Sequence, residues 1–138
     1  MQNDLIFPGL RALIVEDEAL IAEELRERLT LLGFQVIGAV DSAEAGIEIA
    51  TQERPDLVLM DIRLNGPKDG VEACREIRQQ MDLPIIFLTA YSNQRTVDRA
   101  KHSEHDGFIL KPFHRRELQS TIAVALQRHA LRMQRKSQ

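Results

Sequence analysis

The chain has 138 residues, a formal net charge of -3 and an apolar fraction of 43%. This length fits one ordinary domain with a packed core and is too short for two. The composition excludes an intrinsically disordered chain, and the small negative charge gives no reason to expect direct binding to nucleic acid.

No apolar run approaches the roughly 20 residues that cross a bilayer. The polar beginning of the chain, from Met1 to Asp4, also lacks the basic and apolar regions of a secretory signal. We therefore expect a cytoplasmic protein that does not bind membranes directly.

Five short runs rich in Val, Ile and Leu recur along the chain, and each has the length of a β-strand. The runs are near-continuous rather than alternating with polar residues, which is typical of parallel strands that are covered by helices on both faces. The predicted strands are 10–15, 35–40, 57–60, 85–88 and 107–110.

Segments with helical periodicity separate these strands. The clearest is 18–32, where Leu25, Leu29 and Leu32 share one stripe and Gly33 follows as a helix-ending residue. Strand and helix alternate five times, which predicts an α/β fold with a doubly wound five-stranded parallel sheet and five helices. Ligands of such folds bind beyond the carboxyl ends of the strands. The other predicted helices are 42–54, 71–81, 94–102 and 114–126.

The chain divides into a predicted domain and two short ends. We expect an N-terminal extension at 1–9, one domain at 10–126 and a basic C-terminal helical extension or linker at 127–138. The last segment carries four basic residues and no acid. Such a charge run can mark a nucleic-acid or membrane surface, but a solvated helical extension is the favoured interpretation.

Polar residues follow four of the predicted strands. Glu16 and Asp17 follow the first strand, Asp61 the third, Thr89 the fourth and Lys111 the fifth. All five residues are therefore expected to gather at one edge of the sheet. Neighbouring carboxylates repel one another unless a cation neutralises them, and an all-oxygen set favours a hard ion such as Mg²⁺.

This combination predicts phosphoryl chemistry. A carboxylate beside a divalent ion can attack phosphorus and form an acyl phosphate. The phosphoryl group in transfer spreads negative charge over three oxygens, which a metal ion, the Lys111 ammonium and the Thr89 hydroxyl could meet. Asp61 is the candidate nucleophile.

The motifs at the strand ends resemble those of response regulator receiver domains, the phosphorylated modules of two-component signal transduction. The matching segments are Val-Glu-Asp at 15–17, Leu-Met-Asp at 59–61, Leu-Thr-Ala at 88–90 and Lys-Pro-Phe at 111–113. The resemblance covers about residues 10–126. It implies a flavodoxin-like fold with strand order 2-1-3-4-5.

The resemblance also implies a role for each site residue. Asp61 would accept the phosphoryl group from a sensor histidine kinase or a phosphotransfer protein, and Lys111 would contact that group. Mg²⁺ would be held by Asp17, Asp61 and the backbone carbonyl of Arg63, with Glu16 helping through bound water. The protein would be a signalling domain, which at most catalyses its own phosphorylation and slow dephosphorylation.

The resemblance also implies that two further residues form a conformational switch. Thr89 would move toward the phosphoryl group and Phe108 would turn inward behind it, which would shift the face made by the fourth helix, the fifth strand and the fifth helix. Homodimerisation through this face is possible, and the downstream protein or fused output domain is not specified. The bond before Pro112 is expected to be cis.

Two other classes of function stay open on the sequence alone. A Mg²⁺-dependent phosphohydrolase could use Asp61 as its nucleophile, but would need a second acid or base nearby. A receiver-shaped interaction module that is never phosphorylated would have little reason to carry the whole site.

The sequence also predicts properties of several residues outside the motifs. The loop from Asp61 to Gly70 is one residue longer than in the commonest receiver form, and Arg63 and Tyr91 could slow hydrolysis of the acyl phosphate. Cys74 is expected to be buried. All four histidines, His102, His105, His114 and His129, are expected at the surface.

Overall fold

A computed structural model describes residues 6–90, 94–102 and 105–137. Five parallel strands form one sheet in the order β2-β1-β3-β4-β5, which confirms the predicted architecture. The strands are β1 Arg11–Val15, β2 Gln35–Val40, β3 Leu57–Asp61, β4 Ile85–Ala90 and β5 Gly107–Lys111.

Helices connect the strands and follow the last of them. Gly33 ends α1 at a φ of 109°, a conformation that residues with a Cβ rarely adopt. A capping box begins α3, because the Asp69 carboxylate accepts the N–H of Glu72 while the Glu72 side chain accepts the N–H of Asp69. The helices are α1 Ala19–Leu32, α2 Ala43–Glu53, α3 Gly70–Gln80, α4 Gln94–Lys101 and α5 Arg115–Lys136.

The core lies in two layers, one on each face of the sheet. Alternate side chains of β1 divide between the layers, with Leu13 and Val15 on one face and Ala12 and Ile14 on the other. The first layer includes side chains from α2, α3 and α4, and the second includes side chains from α1 and α5. Burial on both faces explains why the strands are almost wholly apolar.

Helix α5 continues without a break to Lys136, so the predicted limit at residue 126 falls inside it. Its last turns contact the segment before β4, where Arg132 and Lys136 both donate to the Asp82 carboxylate at distances of 2.7–3.2 Å. Arg132 also pairs with the buried carboxylate of Asp106. The division into domain and extension stays a prediction.

Several smaller expectations can be compared with the structure. The Lys111–Pro112 bond is cis and Cys74 is buried, as predicted. Of the four histidines predicted at the surface, His102 and His114 are exposed, whereas His105 and His129 are half-buried. Within the described ranges, no helix has the length and apolar character needed to cross a membrane.

Candidate functional site

Three carboxylates meet at the carboxyl edge of the sheet. Glu16 and Asp17 directly follow β1, and Asp61 is the last residue of the neighbouring strand β3. One oxygen from each carboxylate can be chosen so that all three lie within 4.8 Å of one another. The structure thus brings together the acidic residues that the sequence placed there.

Lys111 reaches this cluster from the end of β5. Its Nζ atom lies 3.2 Å from Asp61 Oδ2, 2.7 Å from Glu16 Oε1 and 3.8 Å from Glu18 Oε1. The lysine side chain is only 11% exposed, so water screens these contacts weakly. Glu18 was not predicted in the site. Its position directly after Glu16 and Asp17 was the available signal, but it was assigned to the helix alone.

The electrostatics of the cluster favour an additional cation. Burial and the neighbouring Asp61 raise the pKa of Glu16 to about 7, although Lys111 opposes this shift. Burial lowers the pKa of Lys111, but its contacts with Glu16 and Asp61 outweigh burial and raise it. One ammonium therefore balances three carboxylates incompletely. A hard divalent ion such as Mg²⁺ fits this all-oxygen set and would relieve the repulsion.

An open cavity of about 500 Å³ gives access to the cluster. Its size leaves room for an ion with bound water and for a small phosphorylated donor. The described residues that line it are Asp17, Glu18, Asp61, Arg63, Leu64, Asn65, Ala90 and Lys111.

The loop after β3 is held close behind Asp61. The N–H of Arg63 donates to Asp61 Oδ1 at 3.1 Å, and the N–H of Gly70 donates to the carbonyl of Ile62 at 2.8 Å. A Cβ at position 70 would lie 2.1 Å from the carbonyl oxygen of Asp61, so only glycine fits there. The start of α3 therefore positions the backbone of Asp61.

The two predicted switch residues lie near the site without lining its cavity in the described part of the chain. Thr89 is buried, and its hydroxyl donates to the carbonyl of Ala90 at 3.1 Å. Phe108 is half-buried against the core layer that carries α3 and α4. Their roles, and that of the Arg63 carbonyl, stay predictions, and Tyr91 lies outside the described residues.

Comparison with known proteins identifies the family. A model of the response regulator receiver domain matches residues 12–123. The chain therefore belongs to the response regulator receiver domain family, whose members are the phosphoacceptor modules of two-component signalling.

Relatives and solved structures agree with this assignment. The chain is 36% identical over 118 residues to the transcriptional regulatory protein PdtaR of Mycobacterium tuberculosis, covering 86% of this chain and 57% of PdtaR. It spans about half the length of the curated relatives it matches.

Two receiver domain structures show the same fold. The receiver domain of a modulated diguanylate cyclase from Desulfovibrio desulfuricans G20 has a TM-score of 0.84 and 37% identity, covering 90% of this chain and 98% of that one. The receiver domain of the sensor histidine kinase PA1611 from Pseudomonas aeruginosa PAO1 has a TM-score of 0.78 and 33% identity, covering 86% and 98%. The PA1611 structure contains a magnesium ion coordinated in its active site cleft.

Proposed function

We propose that Asp61 is the phosphoacceptor of this receiver domain and that Mg²⁺ binds between Glu16, Asp17 and Asp61. The observation that carries this proposal is the convergence of three carboxylates and Lys111 at one cavity, with Asp61 Oδ2 only 3.2 Å from the lysine Nζ. The Arg63 carbonyl is a further candidate ligand, and Glu16 would act through bound water.

In the proposed reaction an Asp61 carboxylate oxygen attacks the phosphorus of a phosphodonor. The new oxygen–phosphorus bond forms as the bond from phosphorus to the donor's leaving atom breaks. Mg²⁺, when bound, would supply positive charge against the phosphoryl oxygens. Lys111 is placed to balance the remaining charge, since its ammonium already contacts both Asp61 and Glu16.

The proposed output is a shift of the α4-β5-α5 face. Phosphorylation adds negative charge and acceptor oxygens at a fixed point. Thr89 is the penultimate residue of β4, the strand that lies between β3 and β5, so its hydroxyl is well placed to respond to that charge. Phe108 lies one strand further along, in register with Phe87. A downstream protein or a fused output domain would read the changed face.

The proposal is tested by intact-protein mass spectrometry after incubation with Mg²⁺ and acetyl phosphate. We expect one added phosphoryl group on the wild-type chain, and none in Asp61→Asn or when EDTA removes the metal. The matched control is Asp41→Asn, because Asp41 follows β2 at the same edge of the sheet but is exposed and outside the cluster.

Other results would select other functions. Consumption of acetyl phosphate without an adduct would indicate a phosphohydrolase. Neither an adduct nor consumption would indicate an interaction module that is not phosphorylated, and an adduct that survives in Asp61→Asn would place the acceptor elsewhere.

We further propose that the groove between α1 and α5 receives a helix of the histidine kinase or phosphotransfer partner. The groove has a volume of about 680 Å³ and contains the apolar side chains of Leu20, Leu31 and Leu118. Leu20 is 87% exposed and Leu31 is 67% exposed, so both apolar side chains are accessible to a partner. Helix α1 begins directly after the acidic cluster, so a helix in this groove would bring its histidine close to Asp61.

Leu20→Asp should therefore slow phosphorylation by the protein partner without slowing phosphorylation by acetyl phosphate. We expect transfer from a phosphorylated histidine partner to slow about tenfold or more, because a charge would enter an apolar contact. Phosphorylation by acetyl phosphate should not change. Leu131→Asp is the control, since Leu131 is exposed near the far end of α5. Equal effects of both variants on transfer would argue against the groove.

A further inference from the structure

Three aromatic rings form a contiguous group between β4 and the start of β5. The His105 ring centroid lies 5.5 Å from that of Phe87 and 6.1 Å from that of Phe108. Phe87 is fully buried, and Phe108 is its neighbour on the adjacent strand. His105 thus contacts the ring proposed to turn inward during switching.

This group lies on the face of the sheet that also carries α4. Phe87 belongs to the core layer that includes Ala100 of α4, and Phe108 packs against the same layer. Only Val97 and Ala100 are buried among the described side chains of α4. A change in the position of the Phe108 ring would therefore alter the core layer that Ala100 of α4 also joins.

We propose that neutral His105 is a positioning residue that holds Phe108 in the place seen here, and that protonation of His105 releases it. The output face would then respond to pH as well as to phosphorylation. This inference rests on the proposed switch role of Phe108, but the ring contact itself can be tested without phosphorylation.

The surroundings of His105 favour its neutral form. The Nδ1 atom lies 3.1 Å from the carbonyl oxygen of Gly107, to which a neutral ring can donate. Burial lowers the pKa of His105, and the positive charges of Arg128 and Arg78 act in the same direction. The hydrogen bond to Gly107 and the negative charge of Asp106 oppose this shift.

Protonation would place a positive charge on this half-buried ring. Burial disfavours that charge and both Arg128 and Arg78 repel it, so the charged ring is more stable when turned toward water. Since the folded-state pKa of His105 is depressed, the neutral contact is complete above the unfolded pKa of about 6.5 and is lost as the pH falls below it.

The test is an NMR titration from about pH 8 to pH 5 of protein labelled in its phenylalanine rings. The chain contains five phenylalanines, and Phe108→Leu identifies the signal of interest. We expect the Phe108 signal to shift with the same midpoint as the His105 ring signal, below about pH 6.5.

Three variants separate positioning from packing. His105→Phe keeps a ring without a titratable proton, so Phe108 should resemble its high-pH wild-type state at every pH. His105→Ala removes the ring, so Phe108 should resemble its low-pH state throughout. His102→Gln is the control, because His102 is exposed on the surface and should leave the Phe108 titration unchanged.

The functional readout is the rate of phosphorylation by acetyl phosphate. Loss of one aromatic pair should shift the Phe108 equilibrium about two- to tenfold, so His105→Ala should phosphorylate faster than wild type by a similar factor, with His105→Phe restoring the wild-type rate. The inference would be overturned if the Phe108 signal shifted with a pH midpoint different from that of the His105 signal. It would also be overturned if the Phe108 signal still shifted with pH in His105→Phe. A normal titration in a chain that takes no phosphoryl group would instead count against the proposed function.

Discussion

Replacing Gly70 with alanine should destabilise the domain by about 3 kcal/mol and slow phosphorylation by about 100-fold. The added Cβ would lie 2.1 Å from the carbonyl oxygen of Asp61 and 2.9 Å from the Cα of Ile62. Neither of these backbone atoms can rotate away as the end of a side chain could. The first turn of α3 or the end of β3 must therefore move, and the Asp61 carboxylate moves with it.

Urea unfolding and the initial rate with acetyl phosphate measure the two parts of this prediction, at a temperature where both proteins are folded. Gly66→Ala is the matched control in the same loop. Gly66 has a φ of 103°, but a Cβ there would meet no atom within 4 Å. The control should lose about 1–2 kcal/mol to backbone strain and keep its phosphorylation rate. A normal rate in Gly70→Ala would show that this contact does not position Asp61.

Arg132→Met should lower the free energy of unfolding by about 2–3 kcal/mol. Arg132 is the common partner of Asp82 and Asp106, and the Asp106 side chain is only 1% exposed. Arg78 also contacts both carboxylates, which limits the loss. Since Arg132 is itself 28% exposed, the full cost of breaking a buried ion pair is not expected.

Chemical denaturation followed by circular dichroism would measure this loss. Arg135→Met is the control, because Arg135 is an exposed arginine in the same last turns of α5. Its effect should stay within about 0.5 kcal/mol, as for most surface substitutions. Equal losses in the two variants would mean that helix charge, and not the ion pairs, stabilises this end.

The same ion pairs predict how stability depends on pH. The hydrogen bond from Arg132, assisted by Lys136, holds the pKa of Asp82 well below its usual range, although partial burial opposes the shift. The unfolded state therefore takes up a proton first as the pH falls. The stabilisation is fully present above the unfolded pKa of about 3.9 and is lost below it. In Arg132→Met, the free energy of unfolding should therefore fall less steeply as the pH is lowered through this range.

The sheet and the acidic site could be predicted because local pattern determines both. Strands buried on both faces are read directly as apolar runs, and parallel strands bring their carboxyl ends to one edge. The acids directly after β1 and at the end of β3, and Lys111 at the end of β5, follow from that placement alone. The strand order itself came from the family resemblance.

The remaining features depend on contacts that are distant in sequence. Glu18 enters the site only because Lys111 crosses from β5 to the start of α1. His105 is half-buried because Phe87 and Phe108, on two different strands, enclose it. Arg132 pairs with Asp82, 50 positions earlier, and no local pattern links those two residues. Hydrophobic periodicity contains no information about such charge pairing.

The uninterrupted α5 has a geometric consequence for any segment that continues from it. At about 1.5 Å per residue, its 22 residues form a rod roughly 33 Å long. Each residue inserted into a continuing helix would rotate whatever follows by about 100°. The orientation of an attached module about the helix axis would therefore depend on the number of residues that separate it from α5. The salt bridge between Arg132 and Asp82 fixes the rotational position of α5 against the domain, from which that angle is counted.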